Sequence, residues 1–336
     1  MTVARVRLLV AAALVLAASG CGGGYRTATV TATPAPAGTG GTGLVGTTYV
    51  ALGDDATVAI GSSACGLPPS ATCPTNTTTQ AGTARIAGNV AVNGYAQLLA
   101  AQLTNLHPAQ PFFFVPLGVA GALTGGEPKP APPPNQNDIV TNANQLAQLP
   151  GAVSSARGRS NRIVISLFAG INDVLDAFET QQCPGGAVTG TGGSLASPCG
   201  ANGTTLAGSG NDPRTGSFYA GYRSLVAAIK AAAPNAVVLV GIPDLSRVPA
   251  FTGLSAAQLQ QLSTDSSLAN VALQDAAKDN AVTFAFADLF ALGAASPGTL
   301  YAPGAYAADH FHFSDAAYLV VDGAAFTAFT AQYTGF

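Results

Sequence analysis

The sequence predicts an α/β protein whose mostly parallel sheet is covered by helices on both faces. Short apolar runs of strand length alternate along the chain with longer segments in which apolar residues recur at helical spacing. Such alternation is typical of βαβ units and a parallel sheet. The strand-length runs are mostly continuous apolar stretches, as expected for strands that are buried on both sides. A chain of 336 residues, 48% of them apolar, suits one large domain with appendages or two small domains.

Five strands and five helices can be placed from these patterns. The strands are predicted at residues 48–52, 112–115, 163–168, 236–241 and 282–286. Four helices are predicted at residues 95–103, 139–149, 218–233 and 255–280. A last helix is predicted to begin at Ser314, a residue type that caps helix N-termini well, and to end near residue 329.

The N-terminus has the pattern of an export signal. Arg5 and Arg7 precede an apolar run at residues 8–18, which has the length of a signal peptide and is too short to cross a bilayer. The run ends in Ala-Ser-Gly-Cys, which resembles a bacterial lipobox, so residues 1–21 are predicted to be a lipoprotein signal peptide with the lipid on Cys21. We expect an exported protein anchored to the outer face of a bacterial membrane. Ordinary secretion with a free Cys21 is the alternative.

The remaining cysteines predict two disulfide-stapled loops. Residues 22–46, rich in Gly, Thr and Pro, are predicted to be a disordered tether, and residues 47–336 the folded domain. Loop insertions near residues 61–84 and 181–213 each contain one pair of cysteines. Because an exported protein meets oxidising conditions, we expect the disulfides Cys65–Cys73 and Cys183–Cys199. Zinc binding by these cysteines is the competing interpretation, but the Cys-x-x-Cys spacing is absent and the chain has only 3 histidines.

Composition excludes one class of partner. Charged residues make up 9% of the chain, its formal net charge is −3, and Lys and Arg do not cluster. Nucleic acid is therefore not an expected partner. We expect neither a metal nor a cofactor, and we expect the protein to be a monomer.

Small and polar residues follow the predicted strands. Gly53-Asp54-Asp55 follows the first strand, residues 118–121 follow the second, and Gly-Ile-Asn-Asp at residues 170–173 follows the third. Residues 309–314, which read Asp-His-Phe-His-Phe-Ser, lie beyond the fifth strand and just before the last helix. Because ligands of open parallel sheets bind beyond the carboxyl ends of the strands, we expect these segments to converge on one site.

These segments resemble blocks I, II, III and V of the SGNH/GDSL hydrolase family, in the same order and over nearly the whole mature chain. The family's first block reads Gly-Asp-Ser after a strand, as in the setting of Gly53 and Asp54. Its second block ends in a glycine, here Gly121, and its third is Gly-x-Asn-Asp, here residues 170–173. Its last block is Asp-x-x-His, here residues 309–312. The resemblance implies a three-layer α/β/α fold with a flavodoxin-like five-stranded parallel sheet.

The resemblance also implies roles for individual residues. In this family a serine hydroxyl attacks an ester carbonyl, a histidine removes the hydroxyl proton, and an aspartate three residues earlier orients that histidine. His312 is then the base and Asp309 orients it. Gly121 and Asn172 are the donors that hold the oxyanion, together with the backbone N–H of the nucleophile. The implied substrate is a small-molecule ester, an acyl lipid or an acylated glycan.

The chain departs from the family pattern at three positions. Asp55 stands at the position of the nucleophilic serine. A carboxylate has no proton to give to His312 and is a poor acyl nucleophile, so the serine mechanism is in doubt. Pro116 replaces the asparagine at the start of block II, and Ala317 replaces a glycine often found in the last helix. These two changes remove no catalytic group.

A hydroxyl group elsewhere in the first block could in principle replace the serine. Thr57 lies two residues after Asp55 and is expected to point elsewhere, and Ser62 and Ser63 lie further along the loop. A displaced nucleophile at one of these residues is the weaker alternative to a site without a serine-type nucleophile.

Two functions are therefore carried forward. The first is a lipid-anchored hydrolase, in which His312 and Asp309 activate water or Asp55 attacks a saturated carbon. The second is a catalytically inactive binding protein for a glycan, a lipid or a protein partner. Asn172, Asp309 and His312 favour chemistry, whereas the aspartate at position 55 argues against it.

Overall fold

A five-stranded parallel sheet forms the centre of the protein. The computed structural model describes residues 45–63, 65, 94–119, 121–125, 139, 145–181, 203–208 and 211–336. The strands are β1 (Thr47–Gly53), β2 (Phe112–Pro116), β3 (Arg162–Phe168), β4 (Ala236–Val240) and β5 (Ala285–Ala287). Their order is β2-β1-β3-β4-β5, with every neighbouring pair parallel. This is the flavodoxin-like order, so the predicted fold class is confirmed.

Helices connect the strands and flank the sheet. They are α1 (Tyr95–Leu106), α2 (Gln145–Arg157), α3 (Ile171–Gln181), α4 (Ser217–Ala232), α5 (Ala256–Asp279), α6 (Leu289–Ala295), α7 (Pro297–Leu300) and α8 (Asp315–Gln332). Helix α1 packs on α8, while α4 packs on both α2 and α5, and α3 also contacts α5. All seven residues of β1 and all five of β4 are buried. The sheet is therefore covered on both faces, as the continuous apolar runs predicted.

Local signals in the sequence explain the ends of several elements. Ser255 and Gln258 form a reciprocal capping box at the start of α5, where the prediction placed the helix start. Pro116 ends β2, which is an edge strand of the sheet. An edge strand tolerates proline because the missing N–H breaks no ladder on its outer side. None of the helices in the described part of the chain has the length and apolar character needed to cross a membrane.

The structure corrects three details of the predicted elements. Helix α2 begins at Gln145 and continues through Pro150 to Arg157, whereas the prediction ended this helix at residue 149. An internal proline removes one backbone hydrogen bond and bends a helix without always ending it. Strand β5 is shorter than predicted. Helix α3 was not predicted, although Ile171, Val174, Leu175 and Phe178 recur at helical spacing.

Several sequence predictions fall on residues that the structure does not describe. They concern the signal peptide at residues 1–21, nearly all of the tether and most of the two loop insertions. Four of the cysteines also lie outside the described residues: Cys21, Cys73, Cys183 and Cys199. Cys65 is buried. Its pairing with Cys73, and the pairing of Cys183 with Cys199, stay predictions.

Candidate active site

The carboxylate of Asp55 is held by the two groups that were expected to bind an oxyanion. The residue is the second after the end of β1 and is buried, with 7% of its surface exposed. The backbone N–H of Gly121 donates to Oδ1 over 3.0 Å, and the side-chain amide of Asn172 donates to Oδ2 over 2.9 Å. Both carboxylate oxygens thus accept hydrogen bonds from neutral N–H donors, which is a favourable environment for a negative charge.

The two donors are themselves held in place. Gly121 adopts φ +70°, a backbone conformation that glycine reaches without strain. Three residues on, the backbone N–H and the hydroxyl of Thr124 both donate to the buried carboxylate of Asp173. Asp173 and Asn172 belong to the first turn of α3, and the amide of Asn172 also donates to the carbonyl of Ala122. The start of α3 therefore positions both oxyanion donors.

The end of β1 is fixed by contacts that leave no space for a larger residue at Gly53. The buried side chain of Gln145 accepts from the N–H of Gly53 and donates to its carbonyl, both over 2.8 Å. Gly53 has φ +143°, and a Cβ built on it would lie 1.9 Å from the carbonyl oxygen of Phe168. Glycine is thus required at this turn, and the turn aims the next two residues towards the site.

A histidine–aspartate pair faces Asp55 from the loop before α8. Nδ1 of His312 donates to Oδ2 of Asp309 over 2.5 Å, and Oδ1 of Asp309 accepts from the N–H groups of Phe311 and His312. His312 is buried, and its Nε2 has no hydrogen-bond partner among the described residues. Asp309 therefore orients the imidazole, and Nε2 is the ring atom left to interact with a ligand.

Contacts between α8 and the segment after β1 hold this loop next to Asp55. Tyr318 donates its hydroxyl proton to the carbonyl of Ile60 over 2.7 Å. The backbone N–H of Ser63 donates to the carboxylate of Asp315 over 2.8 Å. Ser314 begins the helix as predicted, but its hydroxyl donates to the carbonyl of Gly304 rather than capping the helix.

Charges at the site raise the pKa of His312. Burial alone would lower it, but the hydrogen bond to Asp309 and the charges of Asp55 and Asp309 outweigh that effect. For Asp309, burial acts to raise the pKa, yet the hydrogen bond and charge of His312, with the N–H groups of Phe311 and His312, lower it. The charged forms of both residues are therefore favoured, and His312 is biased towards the imidazolium.

Asp54 behaves differently from its neighbour. It is almost fully buried, and its Oδ1 accepts from the N–H of Ala56 over 3.3 Å, which fits the turn-capping role that the sequence suggested. Its Oδ2 has no hydrogen-bond partner among the described residues. Burial, and then the charge of Asp55, raise the pKa of Asp54 well above its usual range. Burial therefore favours the neutral, protonated form of Asp54.

A small cavity lies between Asp55 and His312. Its volume is about 20 Å³, which is enough for about one water molecule. Apart from the polar groups of the site, the walls are mostly apolar or aromatic. They come from α3, the segment after β4, the loop before α8 and α8 itself: Ile171, Pro243, Leu245, Val248, Tyr306, Phe311, Phe313 and Tyr318. The hydroxyl of Tyr306, which is buried, has no hydrogen-bond partner among the described residues.

The structure brings together the scattered residues that the sequence singled out. Asp55 contacts Gly121 and Asn172, and it lines one cavity with His312, whose partner is Asp309. The sequence analysis did not find three further residues of the site, since no motif marks them: Gln145, Thr124 and Tyr306. Each could have been suspected only from its position after a strand or before a helix of the site.

The structure gives no support to a displaced hydroxyl nucleophile at the residues considered. The hydroxyl of Thr57 donates to the carbonyls of Leu52 and Phe168 within the sheet. The hydroxyl of Ser62 accepts from the N–H of Cys65. Ser63 is exposed and does not line the cavity. Within the described ranges, no group of three or more His, Cys, Asp or Glu side chains is arranged to hold a metal ion.

The fold and the site define a three-layer α/β/α protein with a histidine–aspartate pair and an oxyanion-type donor pair beyond the carboxyl edge of its sheet. The chain belongs to the GDSL-like lipase/acylhydrolase family, whose sequence profile it matches over residues 51–320.

Solved structures with a similar fold include three bacterial proteins. An extracellular lipase from Streptomyces rimosus is 18% identical, with 83% of this chain and 99% of that chain covered and a TM-score of 0.45. Phospholipase A1 from Streptomyces albidoflavus is 16% identical, with 85% and 99% covered and a TM-score of 0.43. An acetylxylan esterase from Geobacillus stearothermophilus is 16% identical, with 86% and 94% covered and a TM-score of 0.45. No curated protein sequence matches the chain.

The charge of Asp55 should be measurable at His312. Asp55→Asn keeps the size of the side chain but removes one of the charges that raise the pKa of His312, so we expect this pKa to fall. With only 3 histidines in the chain, NMR titration of the imidazole resonances can follow it directly. Asp279→Asn is the control, because Asp279 is not among the groups that act on His312. An unchanged pKa of His312 in Asp55→Asn would contradict the proximity of the two residues.

The interaction between His312 and Asp55 makes the stability of the protein depend on pH. Because the pKa of His312 is raised on folding, its protonation contributes stability below the unfolded value of about 6.5, and this contribution is lost as the pH rises through the folded value. The free energy of unfolding should therefore fall over that range in the wild-type protein and fall less in Asp55→Asn. Urea unfolding curves at several pH values measure the difference.

Proposed function

We propose that this chain is an exported, lipid-anchored member of the GDSL-like family whose site does not cleave esters by the serine mechanism. The observation that carries the proposal is the double hydrogen bond to Asp55. Its carboxylate accepts from both Gly121 and Asn172, the donors that a substrate oxyanion would need. A tetrahedral intermediate would have to displace a negative charge that these donors already stabilise.

The state of His312 supports the same conclusion. Serine-type catalysis needs a neutral imidazole to remove a proton from the nucleophile. Here Asp55 has no proton to give, and its charge raises the pKa of His312. An imidazolium is a proton donor and cannot act as the base of the first step.

The experiment that tests this proposal is an assay on activated esters. The purified domain without residues 1–46 is assayed with p-nitrophenyl esters of short and long acids and with acetylated sugars, alongside Asp55→Ser. We expect negligible cleavage by the wild-type domain and a large gain in the variant. Efficient cleavage by the wild type would refute the proposal.

A binding protein is the second candidate function. It is favoured by the position of Asp55 in the oxyanion site together with a cleft that keeps a mostly apolar wall. The ligand would be an acyl lipid, an acylated glycan or a protein partner. Absence of turnover on any substrate, together with saturable binding of such a ligand, would support this candidate.

The lipid anchor is proposed from Cys21 and predicts where the protein is found. Expressed in a bacterial host, the full-length chain should sediment with membranes and incorporate labelled palmitate. Cys21→Ser removes the acylated thiol and should abolish both behaviours. If the wild-type protein is soluble and unlabelled like the Cys21→Ser control, the chain is secreted without a lipid.

A further inference from the structure

We propose that this site opens the ring of a small epoxide, with Asp55 as the nucleophile and His312 as the proton donor and acceptor. Water is the second substrate, and a vicinal diol is the product. The inference rests on the proposed function, because it requires that the site does not run the serine mechanism. It gives a chemical role to the carboxylate of Asp55, which stands where the family has the hydroxyl of a serine.

Asp55 has the geometry of an oriented nucleophile. A carboxylate can accept about four hydrogen bonds, whereas Asp55 accepts one from Gly121 and one from Asn172. Lone pairs therefore remain for attack while the two bonds fix the plane of the group. A carboxylate attacks an acyl carbon to give an unstable anhydride, but it attacks a saturated carbon to give a stable ester. The substitution at position 55 thus favours a saturated electrophile.

Two proton donors line the same cavity. Nε2 of His312 is buried without a hydrogen-bond partner among the described residues, and so is the hydroxyl of Tyr306. Proton donors are needed when the leaving group is an alkoxide, whereas a halide leaves without a proton. An epoxide oxygen becomes an alkoxide on ring opening, so the donors favour an epoxide over an alkyl halide.

The walls of the cavity suit a small apolar substrate. Apart from the polar groups of the site, they are mostly apolar or aromatic, so they favour a short hydrocarbon substituent on the epoxide ring.

The reaction balances with water as the only co-reactant. An oxygen of Asp55 attacks a ring carbon while the carbon–oxygen bond of the ring breaks, and His312 gives its Nε2 proton to the ring oxygen. The result is a hydroxyalkyl ester on Asp55 and a neutral His312. His312 then takes a proton from water, whose oxygen attacks Cγ of Asp55. The resulting oxyanion is the carboxylate oxygen that was not alkylated, and it keeps the hydrogen bond that Gly121 donates to Oδ1 or that Asn172 donates to Oδ2. Collapse releases the diol, whose departing oxygen takes the proton back from His312, and a final proton transfer restores the starting charges.

The test uses propylene oxide as the probe and mass spectrometry as the readout. In water enriched in ¹⁸O, single-turnover conditions should place ¹⁸O in the carboxylate of Asp55 of the wild-type chain. His312→Gln cannot activate water, so the alkyl ester should accumulate and be mapped to the peptide that contains Asp55. Tyr306→Phe should slow formation of the ester by about a hundredfold if its hydroxyl assists. Asp55→Asn, which keeps the size of the side chain, is the control and should give neither label nor ester.

Two results would overturn the inference. One is diol formed with ¹⁸O in the first product and none in Asp55, which would mean direct attack by water. The other is a folded wild-type protein that shows neither label nor diol while His312→Gln accumulates no ester at Asp55. Both are independent of the ester assay, so the inference can fail while the proposed absence of serine-type ester cleavage stands.

Discussion

Asp55→Ser should cleave activated esters such as p-nitrophenyl acetate at least about a hundredfold faster than the wild-type protein, the effect of one restored catalytic group. Three changes act in the same direction. The serine supplies the missing nucleophile, the N–H of Gly121 and the amide of Asn172 lose the carboxylate that they now bind, and the pKa of His312 loses the upward influence of the Asp55 charge.

The remaining parts of the mechanism are already in place for the variant. Nδ1 of His312 is bound to Asp309, and its Nε2 is left to accept the proton of a serine hydroxyl at position 55. A comparison of kcat/KM across p-nitrophenyl acetate, butyrate and palmitate measures which acyl length the restored site prefers.

Two controls separate a restored serine mechanism from other causes. Asp55→Asn removes the charge without adding a nucleophile and should stay inactive. Asp55→Ser combined with His312→Ala should lose most of the gain, because the serine then lacks its base. If Asp55→Ser adds nothing while wild type is already active and His312→Ala abolishes that activity, then His312 activates water directly and the proposed function is wrong.

The arrangement of the sheet could be predicted because its signals are local. Strands such as β1 and β4 are uninterrupted apolar runs, and both are buried throughout. The ends of α2 and the existence of α3 were harder to predict from the sequence. Pro150 favours the end of a helix, but α2 continues through it because tertiary packing can outweigh local propensity. The first turn of α3 contains Asn172 and Asp173, whose polar side chains bind groups of the site instead of facing the solvent.

The site could be predicted only as far as motifs extend. Asp55, Asn172 and His312 follow strands or precede a helix in recognisable patterns, and the structure places them together. The direction of the Asp55 carboxylate could not be predicted, because it depends on donors that lie 66 and 117 residues away along the chain. The clamp of Gln145 on Gly53 is equally non-local, and no spacing rule identifies it.

Gly53→Ala should destabilise the fold by more than about 4 kcal/mol, the range reached by few single substitutions. The added methyl group would lie 1.9 Å from the carbonyl oxygen of Phe168 and 2.3 Å from the hydroxyl oxygen of Thr57. The carbonyl belongs to β3, whose hydrogen bonds with β1 would have to be broken to move it away. In addition, φ +143° is a conformation that alanine rarely adopts, so strain adds to the steric clash.

Gly323→Ala is the matched control, since it makes the same chemical change in the interior of α8. A Cβ at Gly323 would meet nothing within 4 Å, and its backbone is helical. Alanine should therefore stabilise the protein by roughly 0.5–1 kcal/mol, because it loses less backbone entropy than glycine on folding. Urea unfolding of both variants measures the two effects with opposite signs. If Gly53→Ala unfolds at the same urea concentration as the wild-type protein, the fold does not require the close approach of β1 to Phe168. The turn that directs Asp55 towards Gly121 and Asn172 would then tolerate a residue larger than glycine.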